Sequence, residues 1–314
     1  MPRCAIIPYI GKRILLLVPL LAAVTFSAFL LLKALPGDPV LALVGERADP
    51  SVMEEMRREL GLDKGVMRQY GGYLLLLLKG DMGRSYYTQR DVFADIMGKF
   101  PRTIRLALAS MLMAVPLGVI LGIVSVYGGV RWGRFVDALS MAGLSIPVFW
   151  LGIVVMLVFS LRLKWLPPSG TGGIRFLILP AAVLAVPAMA TLIRVTRASV
   201  LEVREMAYVR TATAKGLRPL RIRFIHVLRN AIIPVVTIIG LDFGSYLNGA
   251  VVTETIFGWD GIGRFTMEGI IKRDYPVIMG CIIVGTIVFV LVNTITDIVY
   301  HALDPRVRLH GKEN

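Results

Sequence analysis

The acidic, nucleophilic and metal-binding side chains that could do chemistry in this sequence are few, and their spacing argues against most chemistries. The three histidines, His226, His301 and His310, are scattered, and the two cysteines, Cys4 and Cys281, lie far apart. No metal spacing and no disulfide framework emerges from them. Neither an H-E-x-x-H zinc signature nor a G-x-S-x-G nucleophile elbow occurs, which speaks against an intramembrane enzyme. A G-x-x-x-x-G-K-[ST] phosphate loop is also missing, so the sequence carries no Walker-type ATP site. Asp242 is the acidic residue placed deepest in an apolar run. A charge there costs about 2.5–3.5 kcal/mol on insertion scales, so it must face a bundle interior or water. It either hydrogen-bonds between helices, with Ser245, Tyr246 or Asn248 as partners, or lines a polar path with Ser245 and Asn248.

The elements that position these residues are set by composition. Of 314 residues, 56% are hydrophobic and only 18% charged, with mean hydropathy +0.71, an excess too large for one water-soluble core. Six apolar runs, 14–35, 106–126, 135–160, 176–193, 231–252 and 277–299, each approach the length of a bilayer crossing. Period-two alternation is absent from them, which argues against a barrel. The expected fold is therefore an all-α polytopic membrane protein with six transmembrane helices. Arg3, Lys12 and Arg13 before the first run also fit a secretion signal. The run is longer than a signal core and no Ala-x-Ala site follows, so an uncleaved anchor is the expectation.

A formal charge of +14 would suggest nucleic acid if it formed one basic face, but its distribution fits membrane orientation instead. Three basic residues lie at the amino terminus, two in the 127–134 turn, nine in segment 194–230 and three in the tail. Only six (Arg162, Lys164, Arg175, Arg264, Lys272, Arg273) lie in the two short loops opposite. Both termini are thus expected in the cytoplasm and segment 36–102 outside. The chain divides into 1–35 with the first span, an outer segment 36–102, a core 103–300 containing the cytoplasmic loop 194–230, and a tail 301–314.

Within the outer segment, Ser51 reads as an N-cap with Glu54 three residues on and Gly61 as the stop of a short amphipathic helix. This segment is either an ordered cap without chemistry or part of a docking surface. In loop 194–230 the stretch Glu202 to Lys215 favours helix, Gly216 and Leu217 form its stop, and Pro219 prevents direct continuation. Phe224, Val227, Leu228 and Ala231 then form an apolar stripe. The arrangement is a helix, a tight turn and a second helix, able to act as a lever; the alternative is a basic stretch that sets topology or contacts anionic lipid. The outer connection 253–276 has three glycines within six residues beside Phe257 and Trp259, expected as a compact re-entrant or surface loop with Trp259 as an interface anchor. Gly118 with Gly122, and Gly240 with Gly244, mark close helix packing. Pro147, Pro180 and Pro187 are expected to kink or break their helices, and Asp137 and Asp297 to pair with Arg134 and His301.

The stretch Tyr208-Val209-Arg210-Thr211-Ala212-Thr213-Ala214-Lys215-Gly216-Leu217, with His226-Val227-Leu228-Arg229-Asn230-Ala231-Ile232-Ile233-Pro234 downstream, resembles the cytoplasmic EAA loop of the inner-membrane permeases of binding-protein-dependent ABC importers. Arg210 and Thr211 stand where the general motif has Glu and Ala. Further similarity, to the peptide and nickel branch, covers almost the whole chain. It runs through Leu35-Pro36-Gly37-Asp38-Pro39, Gly80-Asp81-Met82-Gly83-Arg84-Ser85, Glu254 to Arg264, Arg273-Asp274-Tyr275-Pro276 and Asp304-Pro305-Arg306-Val307-Arg308. Asp260 departs from an expected proline.

The resemblance implies a type I ABC importer permease of the cell inner membrane, with no cofactor. A second homologous permease, two ABC ATPase subunits and an extracytoplasmic solute-binding protein would be its partners, with membrane lipid around it and no nucleic acid. Tyr208, Val209, Arg210, Thr211, Ala212, Lys215, Gly216 and Leu217 would couple it to an ATPase subunit. Short peptides are favoured over nickel as substrate on family frequency alone. An ion-coupled secondary carrier is the competing class, with Asp242 as its only deep candidate; the long internal repeat that many carriers show is not apparent.

Overall fold

The computed structural model describes residues 6–34, 39–44 and 49–303. The motifs at 35–38 and 304–308 and the His301 side chain lie outside that description. Helices account for the regular structure among the described residues, with one isolated bridge between Arg84 and Asp91. The first helix, α1 (Ile6–Ala34), is followed by three short outer helices, α2 (Pro39–Val44), α3 (Pro50–Glu59) and α4 (Val66–Leu78). The core begins with α5 (Val92–Tyr127), whose 36 residues exceed a bilayer crossing, so one end projects beyond the membrane. Then come α6 (Val130–Ser145), α7 (Val148–Met156) with a π-helical turn at Leu157–Arg162, and α8 (Ile174–Arg204).

The cytoplasmic elements are α9 (Ala207–Ala214), the single turn α10 (Pro219–Arg221) and a π-helical stretch Ile222–Leu228 that runs into α11 (Arg229–Leu247). Two short helices, α12 (Val251–Ile256) and α13 (Ile262–Lys272), fill the last outer connection before α14 (Tyr275–Leu303). Five helical stretches are long and apolar enough to cross a membrane, and α6 with α7 and its π turn would make a sixth, bent by 98° at Ile146-Pro147. Six spans were expected; the run 135–160 is nevertheless not one straight helix. Its apolarity continues through Pro147, which lacks the amide an unbroken helix needs. Pro180 and Pro187, by contrast, lie inside a continuous α8.

The centre of the bundle is the seam between α5 and α8, joined by α11. Gly118 and Gly122 make that seam possible: a β-carbon would lie 2.7 Å from Leu192 Cβ at the first and 2.6 Å from Thr196 Cβ at the second. Gly244 similarly faces Phe289 and Val292 of α14. Both small-residue pairs therefore serve close approach, as expected.

One expected ion pair is corrected, and the other, between Asp297 and His301, falls on a side chain outside the described residues. Asp137 pairs with Arg197, not Arg134, because α6 lies against α8. Asp297 pairs with Arg13 and accepts from the Tyr9 hydroxyl at 2.6 Å, because α1 lies along α14. The outer helix α3 is capped by Asp49, which accepts from the Ser51 amide at 2.9 Å; Ser51 itself is already inside the helix. Two outer motifs distant in sequence meet: Ser85 donates to Asp274 Oδ2 at 2.5 Å, and the Tyr86 amide donates to Oδ1 at 3.2 Å.

Candidate functional site

The expected helix 202–215 is in fact two. α8 ends at Arg204, Glu205 and Met206 make the break, and α9 begins at Ala207. The break separates α9 from the long span, so it is a distinct element at the cytoplasmic end rather than a continuation of α8. Its end is a Schellman turn. The Leu217 amide donates to Ala212 O at 3.3 Å and the Gly216 amide to Thr213 O at 2.9 Å, with Gly216 at φ +75°. Pro219 then opens α10 at the first helical position, where its missing amide is not needed.

The α9 residues divide into two faces. Val209 and Ala212 are buried; Val209 packs with Val200, Val203, Val227 and Ala231, beside Ile123, Val126, Tyr127 and Ile222. Burial of these side chains attaches α9 to the ends of α5, α8 and α11 through the hydrophobic effect. Tyr208 adds a polar tie: its hydroxyl donates to His226 O at 3.0 Å and accepts from Asn230 Nδ2 at 2.6 Å. Arg210, Thr211, Lys215 and Gly216 are exposed, and Leu217 is half-buried. The sequence-derived group is thus brought together, with Val209 and Ala212 turned inward and the charged members outward.

The apolar stripe expected after Pro219 holds in part. Val227 and Ala231 are buried, whereas Phe224 is 60% exposed. The π-helical stretch Ile222–Leu228 has a wider turn than the α-helix on which the i, i+3, i+4, i+7 spacing rests, so the stripe loses its register there.

Asp242, Ser245 and Asn248 lie on α11 and its C-cap, three residues apart, on one face. Ser245 and Asn248 are exposed. Asp242 makes none of the expected bonds, and its Oδ2 is buried without a hydrogen-bond partner among the described residues. The Tyr246 hydroxyl donates instead to Leu184 O of α8 at 2.8 Å.

A third group, on the outer side, was not singled out from sequence. Glu254 on α12 is fully buried, accepting from the Thr103 hydroxyl at 2.9 Å and from the Arg264 amide at 3.0 Å. Thr103 also accepts from the Ile262 amide at 2.9 Å. Burial pushes the Glu254 carboxyl above the usual range, opposed by hydrogen bonds from the Arg264 amide, the Thr103 hydroxyl and the Gly263 amide. A side chain at Gly261 would collide with this carboxylate, which explains the glycine-dense corner. Asp260 pairs with Lys99 and Arg102. Trp259 is 4% exposed and donates from Nε1 to Arg102 O at 3.0 Å, so it is a core residue and not an interface anchor. The only sequence signal for this cluster was the alternation of glycines with Glu254, Trp259 and Asp260.

Residues 114–309 match the binding-protein-dependent transport system inner membrane component family, and residues 6–107 match the N-terminal part described for the same membrane components. The chain belongs to this family. The permease is 41% identical to the di/tripeptide transport system permease protein DppB of Pseudomonas aeruginosa, over 96% of its own length and 98% of that protein. It is 40% identical to the glutathione transport system permease protein GsiC of Pectobacterium atrosepticum, with the same coverage. Among solved structures it is similar to a chain of the inward-facing MetNI methionine ABC transporter, with TM-score 0.54 and 18% identity over 66% of the permease and 95% of that chain. A chain of an amino acid ABC transporter matches with TM-score 0.51 and 12% identity, over 68% and 95% respectively. At those identities the likeness shows the fold: that of an ABC importer membrane subunit. The permease is accordingly a multi-pass inner-membrane component of a binding-protein-dependent transporter.

Proposed function

We propose that this permease pairs with a second, homologous permease to form the path for di- or oligopeptides, and that two separate ABC ATPase subunits drive it from the cytoplasm. The observation that carries the reading is α9: a short helix with an exposed charged face, fixed to three spans through Val209 and Tyr208, with Ala212 buried beside them. A partner pressing on Arg210, Thr211 and Lys215 would move the ends of α5, α8 and α11 as a body, and such a rigid-body shift can switch access. The sequence holds no phosphate loop, which fits ATP hydrolysis on other chains. Core 103–300 would form the path-bearing unit and segment 36–102 an outer addition near the solute-binding protein.

Asp242, Ser245 and Asn248 form the proposed polar lining of the path. Asp242 has an unsatisfied oxygen, and the exposed Ser245 and Asn248 extend its face towards the outer end of α11. The peptide class rests on the relatives, which are named for di/tripeptide and glutathione transport.

The test is reconstitution with the partner subunits and the solute-binding protein in sealed vesicles, followed by uptake of a labelled dipeptide. ATP-dependent uptake that persists when the proton gradient is collapsed supports the proposal. Uptake that follows the gradient, ignores ATP and is lost in Asp242→Asn would instead assign an ion-coupled carrier.

A further inference from the structure

The cytoplasmic end of the bundle holds a charge arrangement beside α9 and distinct from its exposed residues Arg210, Thr211 and Lys215. Tyr127, the last residue of α5, is flanked by two guanidinium groups: Arg223 lies 4.5 Å and Arg204 5.8 Å from its ring centroid. Cation–π attraction to one ring holds them near each other. Neither forms an ion pair among the described residues, although the permease pairs other arginines there, Arg13 with Asp297 and Arg197 with Asp137. Two like charges gathered without a counter-charge leave a site of positive potential that suits an anion with several oxygens, such as a phosphate.

Beside this pair runs a groove of about 300 Å³, lined by Ile123, Val124, Val200, Leu220, Phe224 and Leu228. Tyr127, Arg223 and Val227 line both this groove and a separate cleft that contains Arg210 and Thr213 of α9. The groove is therefore apolar along its walls and basic at one margin through Arg223, with Arg204 across the Tyr127 ring in the adjoining cleft. Leu220 and Phe224 are 64% and 60% exposed, more than a water-facing surface would favour for adjacent large apolar groups. The site sits where α5 and α8 end, on the arginine-rich side of the chain, the side that faces the inner leaflet under the positive-inside rule.

We infer that this groove binds an anionic phospholipid of the cytoplasmic leaflet, its phosphate on Arg204 and Arg223 and an acyl chain against Val124, Val200 and Phe224. The combination of guanidinium groups and an apolar channel fits one molecule with a phosphate and an acyl chain, whereas a lone carboxylate would use the charges and leave the channel empty. Basic pockets at the cytoplasmic ends of spans recognise anionic headgroups by this logic. Because Arg223 belongs to the π-helical stretch and Arg204 ends α8, a bound lipid would fasten the two segments on either side of α9. The inference does not depend on which solute the permease carries.

The test is native mass spectrometry of the assembled transporter, titrated with phosphatidylglycerol or phosphatidylcholine of identical acyl chains. Wild type should retain phosphatidylglycerol preferentially. Arg204→Gln combined with Arg223→Gln should weaken that retention ~25-fold, about fivefold for each charge lost near an anionic headgroup. Val124→Phe, which fills the groove and removes no charge, should also weaken it, and this variant decides the matter if the double variant does not assemble. Glycerol phosphate without acyl chains should fail to displace the lipid. Equal retention of the two lipids by wild type, or unchanged retention in either variant, would overturn the inference. Displacement by glycerol phosphate would reassign the site to a free anion. Unchanged lipid retention with loss of an ATPase subunit from the double variant would reassign the arginines to a protein carboxylate.

Discussion

Tyr208 accepts a hydrogen bond from Asn230 Nδ2 at 2.6 Å and donates one to His226 O at 3.0 Å, so a single phenol joins the cytoplasmic helix α9 to the start of α11. Tyr208→Phe keeps the ring and removes both bonds. At about 1 kcal/mol for each net hydrogen bond, the variant should insert and assemble normally. Uptake per ATP hydrolysed should fall roughly 5- to 30-fold, the equivalent of one to both of these bonds. Parallel measurement of hydrolysis and uptake in vesicles checks this; equal losses in both would point to a general defect.

Gly216 is held at φ +75°, while proline is confined near −65° and has no amide to donate to Thr213 O. Gly216→Pro should leave the protein in the membrane and abolish ATP hydrolysis stimulated by the solute-binding protein. Normal stimulated hydrolysis and uptake in this variant would remove the coupling role from the turn.

Glu254 is the acceptor that closes the outer corner, so Glu254→Ala leaves Thr103 Oγ and the Arg264 amide without it. Buried groups left unsatisfied cost about 1–3 kcal/mol each, and the complex should show a clearly lower Tm. The pH dependence has a definite sign. Burial raises the folded-state pKa of this carboxyl above its unfolded value. Its titration therefore contributes stability that is fully present below the ordinary glutamate range and lost as pH rises through the raised value. Wild type should lose Tm across that window relative to Glu254→Gln, whose side chain does not titrate there; parallel melting curves against pH give the difference.

At Gly122 a β-carbon would sit 2.6 Å from Thr196 Cβ, whereas at Gly98, on the same helix, nothing lies within 4 Å. Gly122→Val should prevent accumulation of folded permease, since overpacking costs about 1–3 kcal/mol or more. Gly98→Ala should be neutral or stabilising by about 0.5–1 kcal/mol. Detergent-solubilised yield and Tm compare the two directly.

The sequence made some of this legible for physical reasons that can be named. Apolar run length located the spans because a bilayer imposes it, and Gly216-Leu217 marked the end of α9 because a left-handed residue is needed there. Small residues at 118 and 122 announced a close helix contact. What depended on distant partners was not legible. Asp137 could not be matched to Arg197 without knowing that α6 lies on α8, and Asp297 could not be matched to Arg13. Glu254 read as one more polar residue in an outer loop because its donors come from α5 and from the turn into α13. The bend at Pro147 was masked by uninterrupted hydrophobicity on both sides, and the break at Glu205-Met206 by residues that all favour helix.

The most direct measurement of the coupling role is site-specific cross-linking from the exposed face of α9. Thr211→Cys, in the transporter assembled with its partner subunits, is treated with a short thiol-reactive cross-linker and the products are identified by mass spectrometry. The expected product joins residue 211 to a nucleotide-hydrolysing subunit, with a yield that changes when ATP is bound. Cross-links confined to lipid, to this chain or to the second permease would contradict the role assigned to α9.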